Sequence, residues 1–371
     1  MSGLLCSLEG MADKSHRNIT DADRKCPDNI NSAREPSVPL KPLTEGEEVG
    51  KKWKIVRQIE PELGFNTIYV VEHEKKNFAA ALKIETKNAI SPILKLELFV
   101  LLHMEANDKT GKTKRFPRVF ERGKMPDYNY IIVTLCGKNL KTLRKETEQG
   151  KLSPACGLHV GIQCLQALED LHKLGFIHRT INPSDFAIGR TENGDVKELR
   201  AIYLLDFGFV HQYKETDGKH KPPRPHPWIY KGSARHASRN AFLRNEMSRL
   251  DDLEMWLYMV VELVKGSLPW VAYRDPKHIF EYQKAVRDGL PMLEFLGGLP
   301  IEMITVMKQI DSLQYKEEPK YAEIMALIEK AIQKTGQQPF PYDWEKTEQA
   351  AAAAPKEDSG KKTVQPLLPK K

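Results

Sequence analysis

The stretch from residue 252 to 264 carries Leu253, Met255, Trp256, Leu257, Tyr258, Met259, Val260, Val261, Leu263 and Val264, so wound as a helix it is apolar on nearly every face. A water-soluble helix with no polar side belongs in the centre of a large domain, since any surface position would leave apolar side chains in water. Surrounding it takes a long chain, and 371 residues at 40% hydrophobic content supply one, as one big domain or two lobes. No run reaches the roughly 18 apolar residues that would span a membrane. The start has no basic region and too short an apolar run for a secretory signal.

Five cysteines (Cys6, Cys26, Cys136, Cys156 and Cys164) form no C-x-x-C pair and leave one over. That argues against a disulfide framework and a zinc site, and for a reducing compartment, the cytoplasm or nucleus. The net charge of +7 is mild and spread along the chain, an ordinary solvated surface by default. It suits acidic peptides or phosphate groups at least as well as nucleic acid, and protein partners rather than nucleic acid are expected. Nothing demands more than a monomer.

Residues 1–45 and 346–371 are polar, the latter with an alanine run, and both read as disordered tails. The folded part between them opens with alternating, β-rich stretches at 53–59, 67–72 and 78–85, then a helical stretch over 92–104 and another strand at 130–135. Beyond Lys138 the pattern turns helical. Leu158, Ile162, Leu165, Leu168 and Leu171 recur at helical spacing and Gly175 closes the run. The expected architecture is α+β: a small β-rich lobe over about 50–135 and a larger helical lobe over about 138–335.

Three constellations carry chemistry. Lys83 lies on a strand in Ala-Ala-Leu-Lys-Ile, and Glu97 lies on the helix that follows. Leu94, Leu101 and Met104 place Glu97 on that helix's apolar face, where an unpaired carboxylate would cost several kcal/mol. Lys83 is its natural partner, although a snorkelling lysine and a surface glutamate would also satisfy the pattern. Second, an apolar strand ends in Asp206-Phe207-Gly208, a placement suited to holding magnesium through Asp206. Third, 28 residues before Asp206, His178 opens Ile177-His178-Arg179-Thr180-Ile181-Asn182-Pro183-Ser184-Asp185-Phe186. The kinase catalytic loop reads H-R-D-x-x-x-x-N. Here Thr180 stands at the position of the aspartate, where a hydroxyl supplies no base near neutral pH. Asp185 stands at the asparagine position and retains a metal-binding carboxylate.

The segment Gly232-Ser-Ala-Arg-His-Ala-Ser-Arg-Asn-Ala, the string Ser248-Arg-Leu-Asp-Asp-Leu-Glu, Gly266-Ser-Leu-Pro-Trp270 and Leu135-Cys-Gly-Lys-Asn-Leu140 together resemble the casein kinase 1 family over roughly residues 50–335. Pro222-Pro-Arg224 and the string from Arg244 to Glu254 most resemble its tau-tubulin kinase-like branch. The resemblance implies a bilobal eukaryotic protein kinase fold. It implies that Lys83, Glu97 and Asp206 match phosphate- and metal-handling residues, with ATP and magnesium as cofactors. Val133 falls at the gatekeeper position and Leu135 in the adenine-binding hinge, while Asp252 matches the aspartate that supports the catalytic loop. Asn182 replaces the lysine that contacts the transferring phosphate.

The glycine-rich phosphate loop departs furthest. Between Ile59 and Ile68 only Gly64 remains, Asn66 stands for the last glycine, and Pro61 removes a backbone donor. Glu60 and Glu62 bring negative charge toward a polyanion, each pair costing roughly 2 kcal/mol at about 7 Å unless the side chains turn to solvent. The leading expectation is therefore a pseudokinase acting through protein binding. The alternatives are a weakly active serine/threonine kinase, and an anion or acidic-partner site in the basic segment 214–231. Retained Lys83, Glu97 and Asp206 fit either a nucleotide site or an architectural role, and both readings stand at this point.

Overall fold

The computed structural model describes residues 41–345, apart from 60–66, 77, 88, 90–91, 108–114, 191–195, 216 and 225–228. The first lobe is a six-stranded antiparallel sheet in the order β1-β2-β3-β4-β6-β5: β1 (Glu48–Val49), β2 (Trp53–Ile59), β3 (Thr67–His73), β4 (Ala79–Thr86), β5 (Val119–Lys124) and β6 (Tyr128–Thr134), with helix α1 (Ile93–Asn107) inserted between β4 and β5. The period of two along each strand divides its side chains between two cores. Tyr69, Val71, Ala80, Leu82, Ile84, Tyr130 and Ile132 join Trp53 and Ile55 in a small outer core. Ala81, Ile131 and Val133, of opposite parity, join Leu94, Leu101 and Met104 of α1 in the main core. Lys83 shares the parity of Ala81, so strand alternation alone turns it toward α1.

The second lobe winds around two long helices. After α2 (Leu140–Glu146) comes α3 (Pro154–Lys173), and later α6 (Arg249–Lys265), whose side chains are buried throughout 251–264. The central position expected for the all-apolar stretch is thus observed. The two helices approach closely because Gly157 and Gly161 on α3 face Val264 and Val260. A Cβ would come within 2.6 Å and 2.9 Å of those side chains, respectively. Between α3 and α6 run the short strands β7 (Phe176–Ile177), β8 (Phe186–Ile188), β9 (Ile202–Leu204) and β10 (His211–Gln212), paired β7 with β10 and β8 with β9, and helices α4 (Val196–Leu199) and α5 (Arg239–Leu243). Helices α7 (Pro276–Ala285), α8 (Gly289–Leu296), α9 (Glu302–Ser312) and α10 (Tyr321–Lys334) complete the lobe. A β-rich lobe beside a larger helical one is the bilobal α+β architecture read from the sequence pattern.

Packing continues on both sides of residues 50–335. The backbone N–H of Leu43 donates to the Tyr69 hydroxyl at 3.0 Å. Beyond α10, Tyr342, Trp344 and Glu345 are buried: the Tyr342 hydroxyl accepts from Gln163 on α3, the Trp344 indole donates to the Leu199 carbonyl, and Arg200 bonds Glu345 in a fork. The stretches 1–40 and 346–371 and the phosphate-loop residues Glu60, Pro61, Glu62, Gly64 and Asn66 lie outside the described residues.

Candidate functional site

Lys83 and Glu97 meet as expected, with Nζ 2.5 Å from Oε1, and their side chains are 12% and 2% exposed. Burial works against the charged amine, but the carboxylates of Glu97 and Asp206 outweigh it, and the Lys83 pKa is raised. Lys83 is therefore a firmly charged ammonium with two carboxylates nearby. Helix α1 is itself fastened to β4: the buried Glu85 carboxylate accepts from the Leu94 N–H at 3.0 Å, serving a helix N-terminus whose first N–H groups have no partner within the helix. Glu85 carries no sequence signal for this role, since it lies eight residues before the helix start at Ile93.

Asp206 has a left-handed backbone (φ 62°, ψ 70°), costly for a non-glycine residue and typical of functional turns. Phe207, fully buried, packs among α1, Phe116 and the His178 ring. Gly208 passes close under Ile93, where an added Cβ would lie only 3.1 Å from the Ile93 Cβ, tighter than ordinary contact. The Asp-Phe-Gly turn is thus locked beneath the helix that carries Glu97.

The loop around 178–185 keeps its frame through backbone bonds. Asp252 on α6, wholly buried, accepts from the N–H of His178 at 2.6 Å, from the N–H of Arg179 at 2.7 Å and from the ring of His172 at 2.8 Å. These bonds hold Arg179 in a second left-handed conformation, φ 75°. Its side chain donates to the Phe209 carbonyl, and burial pushes its pKa down to about 9. His172 also meets the Tyr321 hydroxyl of α10 at 2.5 Å, so the support of the loop reaches the end of the lobe.

The side chains of this loop turn on one another. His178 bonds the Leu205 carbonyl through Nε2 at 2.9 Å, and burial lowers its pKa, so the ring is neutral with Nδ1 as its acceptor. The Thr180 hydroxyl, 3.3 Å from Nδ1, is the donor to it. Asn182 donates through Nδ2 to the Thr180 carbonyl at 3.1 Å and to Asp185 Oδ2 at 2.7 Å, and accepts from Ser184 N–H through Oδ1. Its own N–H also donates to Asp185 Oδ2, which completes a reciprocal cap on the 3-10 turn Pro183–Asp185. Thr180, Asn182 and Asp185 are all buried. That Asn182 and Asp185 would satisfy each other was missed in the sequence, where a capping pattern of Asn followed by Asp three residues on was present.

Val133 is the last inward residue of β6, and Leu135 begins the connection to the second lobe. The connection is pinned by Gly137 N–H to the Ile188 carbonyl and Ile188 N–H to the Lys138 carbonyl. Gly137 has no room for a side chain, because a Cβ would lie 2.8 Å from the Gly189 oxygen. Burial pushes the Cys136 thiol there up to about 12.

The residues on the nucleotide side fit a magnesium nucleotide. A charged lysine, held by a buried acid, stands beside an Asp206 carboxylate carried on a strained turn. The acceptor side holds no cation at Asn182 and no carboxylate at Thr180. In the basic segment, Arg224 is committed to Glu246 by two bonds, Lys219 pairs with Asp217, and Lys214 lies over the Tyr213 ring. Among the described residues of the segment, these cations therefore have partners already.

No family model matches the chain. It is 32% identical over 304 residues to the serine/threonine-protein kinase spe-6 of Caenorhabditis elegans, covering 80% of this chain and 76% of that protein. It is 30% identical over 295 residues to a probable serine/threonine-protein kinase of Dictyostelium discoideum, covering 79% of this chain and 56% of that one. It is 27% identical over 299 residues to casein kinase I homolog 2 of Schizosaccharomyces pombe. With likeness of about 30% over four-fifths of the chain, the chain belongs to the casein kinase 1-like serine/threonine-protein kinases.

Proposed function

We propose that this domain is a pseudokinase that works by binding protein partners and that keeps a nucleotide site. The observation that carries the proposal is the mutual bonding of Asn182 and Asp185 beneath a Thr180 that donates to a neutral His178. A kinase needs a carboxylate to orient the acceptor hydroxyl and take its proton, and losing such a base typically lowers the rate about 100- to 10,000-fold. The missing lysine at Asn182 withdraws electrostatic stabilisation as well. The deficits need not multiply, because these parts act as a unit.

On the nucleotide side, Lys83 would contact the α- and β-phosphates, with Glu97 fixing its ammonium, and Asp206 would hold magnesium. A bound nucleotide would supply the phosphoryl group. This chain's own residues bind and orient it and provide no proton acceptor at position 180. Asp185 offers a second carboxylate, but its Oδ2 already accepts two bonds from Asn182.

The intact Lys83–Glu97 pair and the packed Phe207 favour a second reading, a slow serine/threonine kinase. Transfer of labelled γ-phosphate from ATP, with magnesium or manganese and casein or tubulin-type substrates, separates the two. The expected result is no transfer above a Lys83→Met control. Transfer that the control abolishes would establish the slow kinase instead.

A further inference from the structure

One apolar row on the second lobe has no cover among the described residues. Leu290 and Leu293 on α8 stand three residues apart, and Gly297 follows four residues later on the same face. Leu290 is 81% exposed, Leu293 56%, and Ile301 just beyond is 67% exposed. Single exposed aliphatics are ordinary, whereas neighbouring ones form a contact surface. The row runs into a cleft of about 650 Å³ whose walls include Glu148, Leu152, Val264, Gly297, Leu299 and Asp343. Gly297 closes the helix by donating its N–H to the Leu293 carbonyl, and a Cβ there would collide with that carbonyl.

Asp343 fixes what emerges beside this cleft. Its carboxylate accepts from the N–H and hydroxyl of Ser153, and Glu345 is tied to Arg200, so the chain leaves the domain at the cleft's edge. The sequence after Trp344 holds one cluster of large aliphatic residues, Val364, Leu367 and Leu368. Pro366 and Pro369 interleave with it, and Lys361, Lys362, Lys370 and Lys371 flank it.

We propose that residues 364–369 of this same chain dock in cis on the α8 row, with Leu367 and Leu368 against Leu290 and Leu293. Val364 lies 19 residues beyond Glu345. A flexible linker of that length has a root-mean-square span of roughly 25 Å, enough to reach along a helix only about 12 Å long. In that docking the flanking lysines would meet Glu148 and Asp343 at the cleft. Of the opposing lysines there, Lys151 and Lys265, the second is held by the carbonyls of Glu294 and Gly297.

Amide hydrogen exchange on the full chain tests this, comparing wild type with Leu367→Asp/Leu368→Asp and with Leu290→Asp/Leu293→Asp. Leu290 and Leu293 are exposed, so their double substitution removes no core packing. With an effective concentration on the order of 1 mM, even a weak contact of about 0.1 mM slows exchange roughly tenfold. The expected result is that slowing at 290–301 and at 364, 365, 367 and 368 in wild type, lost in both variants and unchanged on dilution. Equal exchange in wild type and the tail variant overturns the proposal. Slowing that disappears on dilution also overturns it and assigns the row to a second copy of the chain. Slowing of the tail that survives Leu290→Asp/Leu293→Asp overturns it by placing the tail elsewhere.

Discussion

Lys83 and Asn182 stand at the two positions from which lysines face the phosphates in the family this chain resembles, and their surroundings have treated them differently. Lys83 sits between Glu97 and Asp206, which keep it charged against the pull of burial. Asn182 is neutral, and every polar atom of its side chain is bonded within its own loop. The frame around Asn182 nevertheless persists, because Asp252 grips backbone N–H groups that any residue at 178 and 179 would offer. A loop whose shape rests on main-chain bonds can lose its chemistry and keep its fold. A side-chain ion pair has no such latitude, since removing either partner leaves the other buried.

The largest effect expected from breaking this contrast is a gain. If only the acceptor side is deficient, Thr180→Asp with Asn182→Lys restores the missing groups on an existing frame, and transfer rises by about 100- to 10,000-fold over wild type. Labelled-phosphate transfer, again with Lys83→Met as control, measures it. No rise would move the fault to the nucleotide side and to the glycine-poor segment 60–66.

The frame itself is the next target. Asp252→Ala strips three donors of a wholly buried acceptor, and the domain should lose roughly 3–5 kcal/mol in denaturant unfolding. A loss below about 1 kcal/mol would mean that the loop does not depend on that carboxylate.

Lys83→Met is expected to cost somewhat less, because Glu97 can take up a proton. Burial already raises the Glu97 pKa, and without the ammonium that rise loses its main counterweight. A carboxyl with a folded pKa above its unfolded one binds more protons when native. The variant is therefore relatively most stable below the unfolded value and loses stability as pH climbs through the folded one. In wild type the slope is smaller, because Lys83 offsets part of the rise. Glu97→Gln added to Lys83→Met should remove the slope, and its persistence in the double variant would assign it to another group.

The parts of the site that were legible in the sequence depended on periodicity. Glu97 sat among Leu94, Leu101 and Met104 at helical spacing, and Lys83 on a strand whose alternation decides which way it faces. The long helices α3 and α6 were found, each extending a turn beyond the read segment at its start, where Pro154 and Arg249 interrupt the apolar pattern. Residues 336–345 were not read as part of the domain, because Tyr342 and Trp344 pack singly in an irregular segment and share no period. The inward turn of Thr180 and Asn182 was equally hidden. Identity shows that a base and a cation are absent, but whether their replacements face solvent or each other depends on the loop's closure by Asp252, 70 residues or more away in the chain.

The smallest effect separates a structural Asn182 from an idle one. Its side chain caps the turn Pro183–Asp185 by accepting from Ser184 N–H, and it neutralises part of the Asp185 demand by donating to Oδ2. Asn182→Ala removes both and leaves the bond from its own N–H to Asp185, so a loss of about 1 kcal/mol is expected, typical of a helix cap. The same change removes one of the two bonds that Asp185 Oδ2 accepts from Asn182. Magnesium-dependent thermal stabilisation by nucleotide should then be equal to or greater than in wild type, even as the protein alone melts earlier. A fall in both would mean that Asn182 positions Asp185 for metal, and that the two sides of the cleft are less separate than their bonding suggests.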